Sequence, residues 1–346
     1  MDNLTTTHHY IADILSFEVS NSELEKTLRN SSFNWDAIVI EGSKHLVLPA
    51  IYCRLREKKL LHVLPSELNV YLEELTAINR SRNESILKQV NFIAQLLNQH
   101  AIEYVFLKGS ALLALGCFQD NAERMVGDID ILVKDSQIND AFQLLKTNGY
   151  NKTSGFAYKQ KDYRHLDRLI SDHYIAAIEL HSQLLNKKYW SLIDIPSIFT
   201  SNLVIDNISI PNADVMSTHQ ILAKQVNDNG HYYNSLSLKS IYDLIILKKH
   251  KDPTFISNLL KSKYGQSYVA LSQNYFKDFS HIPANTYMKY IRFSHNTQVS
   301  FNPINGFIKH IKFSLNFIGH RITLLCTNKY YTKHIFNKIF RNKTSV

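Results

Sequence analysis

Acidic residues run out at Asp278. From Phe279 to Val346 the chain holds ten lysines and arginines and no aspartate or glutamate. The formal charge of +9 therefore belongs to this tail, and the rest of the chain is close to neutral. A stretch of one sign points to an anionic partner, nucleic acid or a membrane surface, or else to a basic helix pair folded on the body. Cysteine is scarce as well. Cys53, Cys117 and Cys326 lie far apart with no CxxC pair, and an odd count argues against a disulfide framework. Ten glycines and seven prolines leave little material for long disordered linkers. No apolar run approaches the ~20 residues of a spanning helix. The opening MDNLTTTHHYIADILSFEVS lacks the basic start of a secretory signal. A reducing cytoplasm is the expected compartment, with peripheral membrane contact through the tail as its variant.

What is present is a chain of 346 residues, 45% hydrophobic and 20% charged, enough for two or three packed units with a sizeable core. Residues 11–100 carry apolar positions at helical spacing and no strand signal. The pattern then changes. EYVFL (103–107) predicts a strand broken by Gly109-Ser110, ALLALG a short helix ending at Gly116, and DIDILV (128–133) a second strand. SQINDAFQLLKTNGY predicts a helix closed by Gly149, and HYIAAIELHSQL (173–184) a third strand running into a new helix. LVIDNISIP (203–211) reads as a hairpin turning at Asp206-Asn207, with helices from Pro211 to about residue 275.

Side chains alternate across a strand, so Asp128 and Asp130 share a face while Ile129 and Ile131 take the other. Two carboxylates on one face repel unless a cation sits between them. Oxygen ligands of this kind suit Mg²⁺, with Mn²⁺ as a substitute, and substrate phosphates fill the remaining positions. Glu179, near the end of its own apolar strand, is the candidate third carboxylate of a metal clamp. Upstream, Lys108-Gly109-Ser110 follows a strand and opens a helix, where glycine and free N–H groups can meet a phosphate. Together these parts suit phosphoryl or nucleotidyl transfer, in which catalysis is mostly positioning and charge neutralisation.

These residues resemble the nucleotidyltransferase superfamily that includes DNA polymerase β and kanamycin nucleotidyltransferase. They are more narrowly similar to the bacterial nucleotidyltransferase family 5. The similarity rests on Leu107-Lys108-Gly109-Ser110-Ala111-Leu112, on Arg124-Met125-Val126-Gly127-Asp128-Ile129-Asp130, and on Glu179-Leu180-His181, and extends over roughly residues 30–275. Seventeen residues separate Ser110 from Asp128, a long gap for the superfamily that the narrower family shares. Ser182 stands where an aromatic often follows the Glu-Leu-His triplet. The resemblance implies an α+β fold, a small mixed-sheet nucleotidyltransferase core (101–211) between an N-terminal helical region (1–100) and a C-terminal one (212–278), with the basic helical tail (279–346) beyond. It implies Asp128, Asp130 and Glu179 as metal-holding catalytic residues, Lys108, Gly109, Ser110 and Arg124 as nucleotide-binding residues, and His181 as a substrate contact. The expected reaction moves a nucleoside monophosphate from an NTP to a small-molecule, protein or RNA hydroxyl.

Two other readings stay open. A lone Asp-x-Asp also occurs in Mn²⁺-dependent glycosyltransferases, and a degenerate site would leave a binding or scaffold protein led by its basic tail. Individual residues have plainer alternatives. Glu179 could be a strand-end carboxylate, His181 and His165 hydrogen-bonded structural histidines, and Lys108 a salt-bridge partner. Arg124 could pin the Asp128 loop instead of a phosphate, Asp243 is expected in an internal pair, and Cys117 as a small buried apolar residue. In the tail, GFIKHIKFSLNFIGHRITLL fits a packed helix, an interfacial helix or an RNA-binding surface.

Overall fold

The computed structural model describes residues 4–155, 163–300 and 302–341, the last span without the side chains of residues 302–309 and 339–341. Among the described residues, five α-helices precede the first strand: α1 (Leu4–Leu15), α2 (Asn21–Leu28), α3 (Trp35–Lys44), α4 (Leu48–Glu57) and α5 (Ser66–Gln99). Their starts follow local chemistry. Ser20 and Asn34 cap α2 and α3 by accepting from Glu23 N and Ala37 N, and α4 carries a proline in its first turn. Then come β1 (Tyr104–Phe106), α6 (Lys108–Leu115), β2 (Asp128–Val133), α7 (Ile138–Thr147), β3 (Lys152–Ser154), β4 (Arg168–Ile170) and β5 (Ala177–His181). After α8 (Ile195–Thr200), β6 (Leu203–Ile205) and β7 (Ile208–Ile210) form a hairpin. Its Asp206 and Asn207 take φ of 49° and 66°, as a type I′ turn requires. The C-terminal helices are α9 (Ala213–Leu222), which runs into a π-helical turn at Ala223–Asn227, α10 (Gly230–Tyr233), α11 (Leu238–Ile246), α12 (Pro253–Leu259), α13 (Lys263–Tyr275), α14 (Thr286–Ser300), α15 (Asn302–Thr327) and α16 (Lys329–Arg341).

The fold is α+β, as expected. The five-stranded sheet has the order β1-β2-β5-β4-β3, with β2 and β5 parallel and every other pair antiparallel. Alternation divides its residues between two cores. Tyr104, Phe106, Ile129, Ile131, Ile178 and Leu180 join the main core with Ile86, Val90, Ile93 and Leu97 of α5. Val105, Leu107 and Leu132 point the other way, into a smaller cluster with Leu184, Leu185, Ile198, Leu222 and Val226. That second face is the one that carries Asp128, Asp130, Glu179 and His181.

Two features depart from the sequence reading. Strands β3 and β4 were not expected, being three residues each with no usable alternation. After β5 the chain does not enter a helix. Leu184 and Leu185 tuck into the smaller core, Trp190 donates its indole N–H to Leu185 O at 2.9 Å, and only a 3₁₀ turn at Lys187–Leu192 follows.

The long gap between Ser110 and Asp128 is occupied by a loop fastened to three helices. The buried stripe of α5 begins polar, with Thr76, Asn79 and Asn83, and turns apolar at Ile86. Asn79 Nδ2 donates to Ala122 O (2.6 Å), and Asn83 Nδ2 to Asn121 O (2.6 Å) and Arg124 O (2.7 Å). Arg82 reaches Val126 O and Gly127 O. Arg80 of α5 and Arg56 of α4 both bind Asp120. From α11, Tyr242 donates to Glu123 at 2.6 Å and Asp243 accepts from Arg124. Backbone carbonyls that would otherwise be orphaned are thus satisfied, and the approach to β2 is fixed. The same helix sets the approach to β5: Gln89 donates to Ala176 O (2.6 Å) and accepts from Ala176 N (3.2 Å).

The tail divides: Met288 and Ile291 of α14 are buried in the main core, whereas α15 behaves differently. Along α15, Ile311, Leu315, Ile318, Ile322 and Leu325, spaced four and three residues apart, are 41–62% exposed. These residues are not part of a core. Phe307, which the packed-helix reading would have placed with them, lies outside the described side chains.

Asp120→Asn should lower the melting temperature, at a cost of about 2 kcal/mol for uncoupling one charged group from two arginines. Hydrogen bonding by Arg80 and then Arg56 holds the Asp120 carboxyl well below its ordinary range against the opposing effect of burial. The depressed value means its stabilisation is complete above the unfolded pKa of about 3.9 and is lost as pH falls below it. Denaturant titrations of both proteins should therefore differ at neutral pH and converge in acid.

Candidate active site

Parallel pairing of β2 with β5 puts Asp130 beside Glu179 and Asp128 beside Ala177. Three carboxylates and His181 consequently share one small patch of the sheet. Two cations hold the patch together. Lys108 Nζ lies 2.6 Å from Asp130 Oδ1, and Arg168, one strand further along on β4, reaches both Asp128 Oδ2 (3.0 Å) and Glu179 Oε1 (2.5 Å). His181 Nε2 stands 2.8 Å from Asp130 Oδ1 and 3.6 Å from Glu179 Oε2. His165 Nε2 is 3.8 Å from the same Glu179 oxygen, and the His165 and His181 rings meet edge to face at 5.1 Å.

The protonation states follow from these contacts. Burial opposes the charge on Asp130, but Lys108 and His181 outweigh it and hold the carboxyl below its usual range. His181 close by, with Arg168 and against burial, keeps Glu179 low as well. Asp128 is pushed up by burial and then by the neighbouring Asp130 charge. Burial also works against Lys108, yet the Asp130 carboxylate raises it above the ordinary lysine value.

The KGS turn has a more local basis than its linear motif suggests. Lys108 sits at φ 51°, an uncommon conformation for a residue with a Cβ, and the chain turns there from β1 into α6. A Cβ on Gly109 would come within 2.9 Å of Val126, so glycine is required for α6 to pack against the approach to β2. Ser110 is fully buried, and its hydroxyl donates to Leu107 O at 2.8 Å. Arg124 Nε lies 2.9 Å from both oxygens of Asp243, which also accepts from Gln220. Asp243 therefore has its internal partner.

Beside the carboxylates lies a cavity of ≈ 200 Å³ whose walls include Lys108, Arg124, Arg164, Lys224, Lys239 and His181. Its charge is overwhelmingly positive. Burial, and then Arg124 alongside, lowers Lys239 to about 8, and this lysine forms no ion pair with a described residue. Arg164 Nε is buried without a hydrogen-bond partner among the described residues. Arg168, Arg164, Lys224 and Lys239 carry no signal in the sequence that marks them for this site. Arg168 lies on a strand too short to be recognised, and the two lysines lie on helices whose facing depends on tertiary packing.

The donor set fits a divalent cation. Ligand atoms of Asp130, Glu179 and His181 lie within 4.8 Å of one another, and Asp128 adds a further carboxylate on the same face. Arg168→Gln removes the cation between Asp128 and Glu179. Thermal melts should show destabilisation on the order of 1 kcal/mol, the scale of a partly exposed charged contact. Added Mg²⁺ should raise the melting temperature of this variant by more than it raises that of the parent protein.

The model of a family of uncharacterised nucleotidyltransferases matches residues 31–263, a span that contains every described strand, the carboxylate cluster and the cationic cavity. No curated protein matches the chain. A mixed sheet presenting paired aspartates and a third carboxylate, together with a match over more than half of the sequence, leads to one assignment: the chain belongs to this family of nucleotidyltransferases, whose chemistry is nucleotidyl transfer from a nucleotide substrate.

Proposed function

We propose that the protein moves a nucleoside monophosphate from an NTP to a hydroxyl acceptor and releases pyrophosphate. The observation that carries this reading is the junction of three carboxylates with a cavity walled by cations. Asp128, Asp130 and Glu179 would hold Mg²⁺, or Mn²⁺ in its place, and the ion would supply charge neutralisation to the triphosphate. Lys108, Arg164, Lys224 and Lys239 supply positive charge to the phosphate tail, with backbone N–H groups at Gly109 and Ser110 adding to it. Arg124 shapes this wall through Asp243. Glu179 is ionised and close to two imidazoles, so it can take the acceptor's proton as the hydroxyl oxygen attacks the α-phosphorus and the bond to the bridging oxygen breaks. His181 orients Asp130 and Glu179 for both tasks.

The test uses each α-labelled NTP with lysate fractions of small molecules, proteins and RNA as acceptors. Label transfer should occur with Mg²⁺, and Asp130→Asn should reduce it by about a hundredfold or more, the scale of one lost electrostatic group. Lys239→Met should raise the Kd for Mg-NTP about tenfold or more, as expected for one charged contact to phosphate. Stabilisation by Mn-UDP-sugar with none from any NTP would support the glycosyltransferase alternative instead.

For the tail, the reading supported best is contact with an anionic membrane surface. Exposed Ile311, Leu315, Ile318, Ile322 and Leu325 accompany Lys312 and Arg321 in a segment with no acidic residue. Apolar surface of this kind suits lipid better than the phosphates of RNA. Among the described residues no helix is long and apolar enough to cross a membrane. Sedimentation with anionic vesicles should retain part of the binding at high salt, and truncation after Ser300, which leaves the buried residues of α14 in place, should remove it. A tRNA complex that disappears steeply with salt, without vesicle binding, would reverse this choice.

A further inference from the structure

We propose that His8, Glu41 and His45 form a second metal centre, for a zinc-type transition ion, separate from the carboxylates of the sheet. One ligand atom from each lies within 4.8 Å of the others. His8 Nε2 and Glu41 Oε2 are 3.3 Å apart. That is long for an N–H···O hydrogen bond, and it is about the edge of a tetrahedron whose bonds to zinc are about 2.0 to 2.1 Å. Glu41 and His45 are four residues apart at the end of α3, so they project from one side of the helix. Glu41 divides its oxygens: Lys44 Nζ lies 2.6 Å from Oε1, which fixes the carboxylate and leaves Oε2 towards His8. His8 is 5% exposed, and its ring is held edge-on by His45 (5.2 Å) and Tyr275 (5.5 Å).

Two imidazoles and one carboxylate are a ligand set for zinc and not for magnesium, which prefers oxygen and keeps its water. Three protein ligands leave a fourth tetrahedral position. A cavity of ≈ 480 Å³, lined by His8, Glu41 and His45 and by Asn234, Ser235 and Gln298, is open to take an exogenous ligand there. None of the three residues lines the cationic cavity or belongs to the carboxylate cluster. The molecule thus sorts ions by donor type, magnesium at the sheet and zinc between α1 and α3.

Metal-stripped, untagged full-length protein titrated with Co²⁺ in excess Mg²⁺ provides the test; Mg²⁺ competes at the oxygen-rich sheet cluster, and a variant of that cluster separates any Co²⁺ that His181 draws there. One Co²⁺ per chain should appear with the strong visible absorption of a tetrahedral site, and one equivalent of Zn²⁺ should abolish the signal. Glu41→Gln, which preserves volume, and His45→Ala, at a half-buried position, should each weaken Co²⁺ binding about a hundredfold or more. Melting temperatures of both variants without metal establish that they fold. The Asp130→Asn, Glu179→Gln double variant should keep the signal. Uptake that is absent in the parent protein, unchanged in folded Glu41→Gln and His45→Ala, or lost in the double variant would overturn the proposal.

Discussion

Carboxylates on neighbouring rungs of a parallel strand pair repel each other, and this repulsion governs the centre of the molecule. Asp130 and Glu179 are direct neighbours across β2 and β5, and Asp128 is two residues from Asp130 on the same face. In water the mutual repulsion would be mild, but behind a sheet face and a helical cover it is not. The protein answers with opposite charge from two directions. Lys108 arrives from the turn after β1, and Arg168 from β4. Each is drawn in by the same carboxylates that would hold a metal ion, so the protein-only arrangement already marks where positive charge is demanded.

That demand explains the surrounding architecture. Carboxylates can be kept this close only if their strands cannot shift, and α5 prevents shifting at the start of each strand. Its asparagines hold the carbonyls before β2 while Gln89 holds Ala176 before β5. The apolar part of the same helix face packs under Ile129, Ile131 and Ile178. Burial and hydrogen bonding therefore act along one stripe, polar where the loop needs partners and apolar where the sheet needs cover. On the opposite face, α9, its π-helical turn and α11 close a cationic wall around the carboxylate patch, and an excess of each sign is balanced by the other.

Much of this was legible in the sequence. Asp-Ile-Asp-Ile-Leu-Val reads as a strand because alternation and β-branching agree, and β2 has those limits. The Asp206-Asn207 turn is legible because few dipeptides tolerate two positive φ values. Asp128, Asp130, Glu179, Lys108 and His181 could be grouped from their motifs, and they do meet. The rest depended on contacts far apart in sequence. Arg168 belongs to a three-residue strand with no pattern of its own. Lys224 and Lys239 have helical periodicity, which says nothing of which side meets the sheet. Ser110 looks like a phosphate ligand in a linear motif, but only the packing of α6 reveals that its hydroxyl is turned inward to Leu107.

The fastening of Arg124 to Asp243 has a consequence for the order in which the protein is made. A ribosome delivers Asp128, Asp130 and Glu179 well before α11 emerges, so the nascent chain carries its acidic triad while the arginine that braces the adjoining loop has no acid to bind. Until Asp243 arrives, Arg124 and the carbonyls near it rely on α5 alone. A chain interrupted between Glu179 and Lys224 would present its carboxylates without the two lysines, Lys224 and Lys239, that line the cavity beside them.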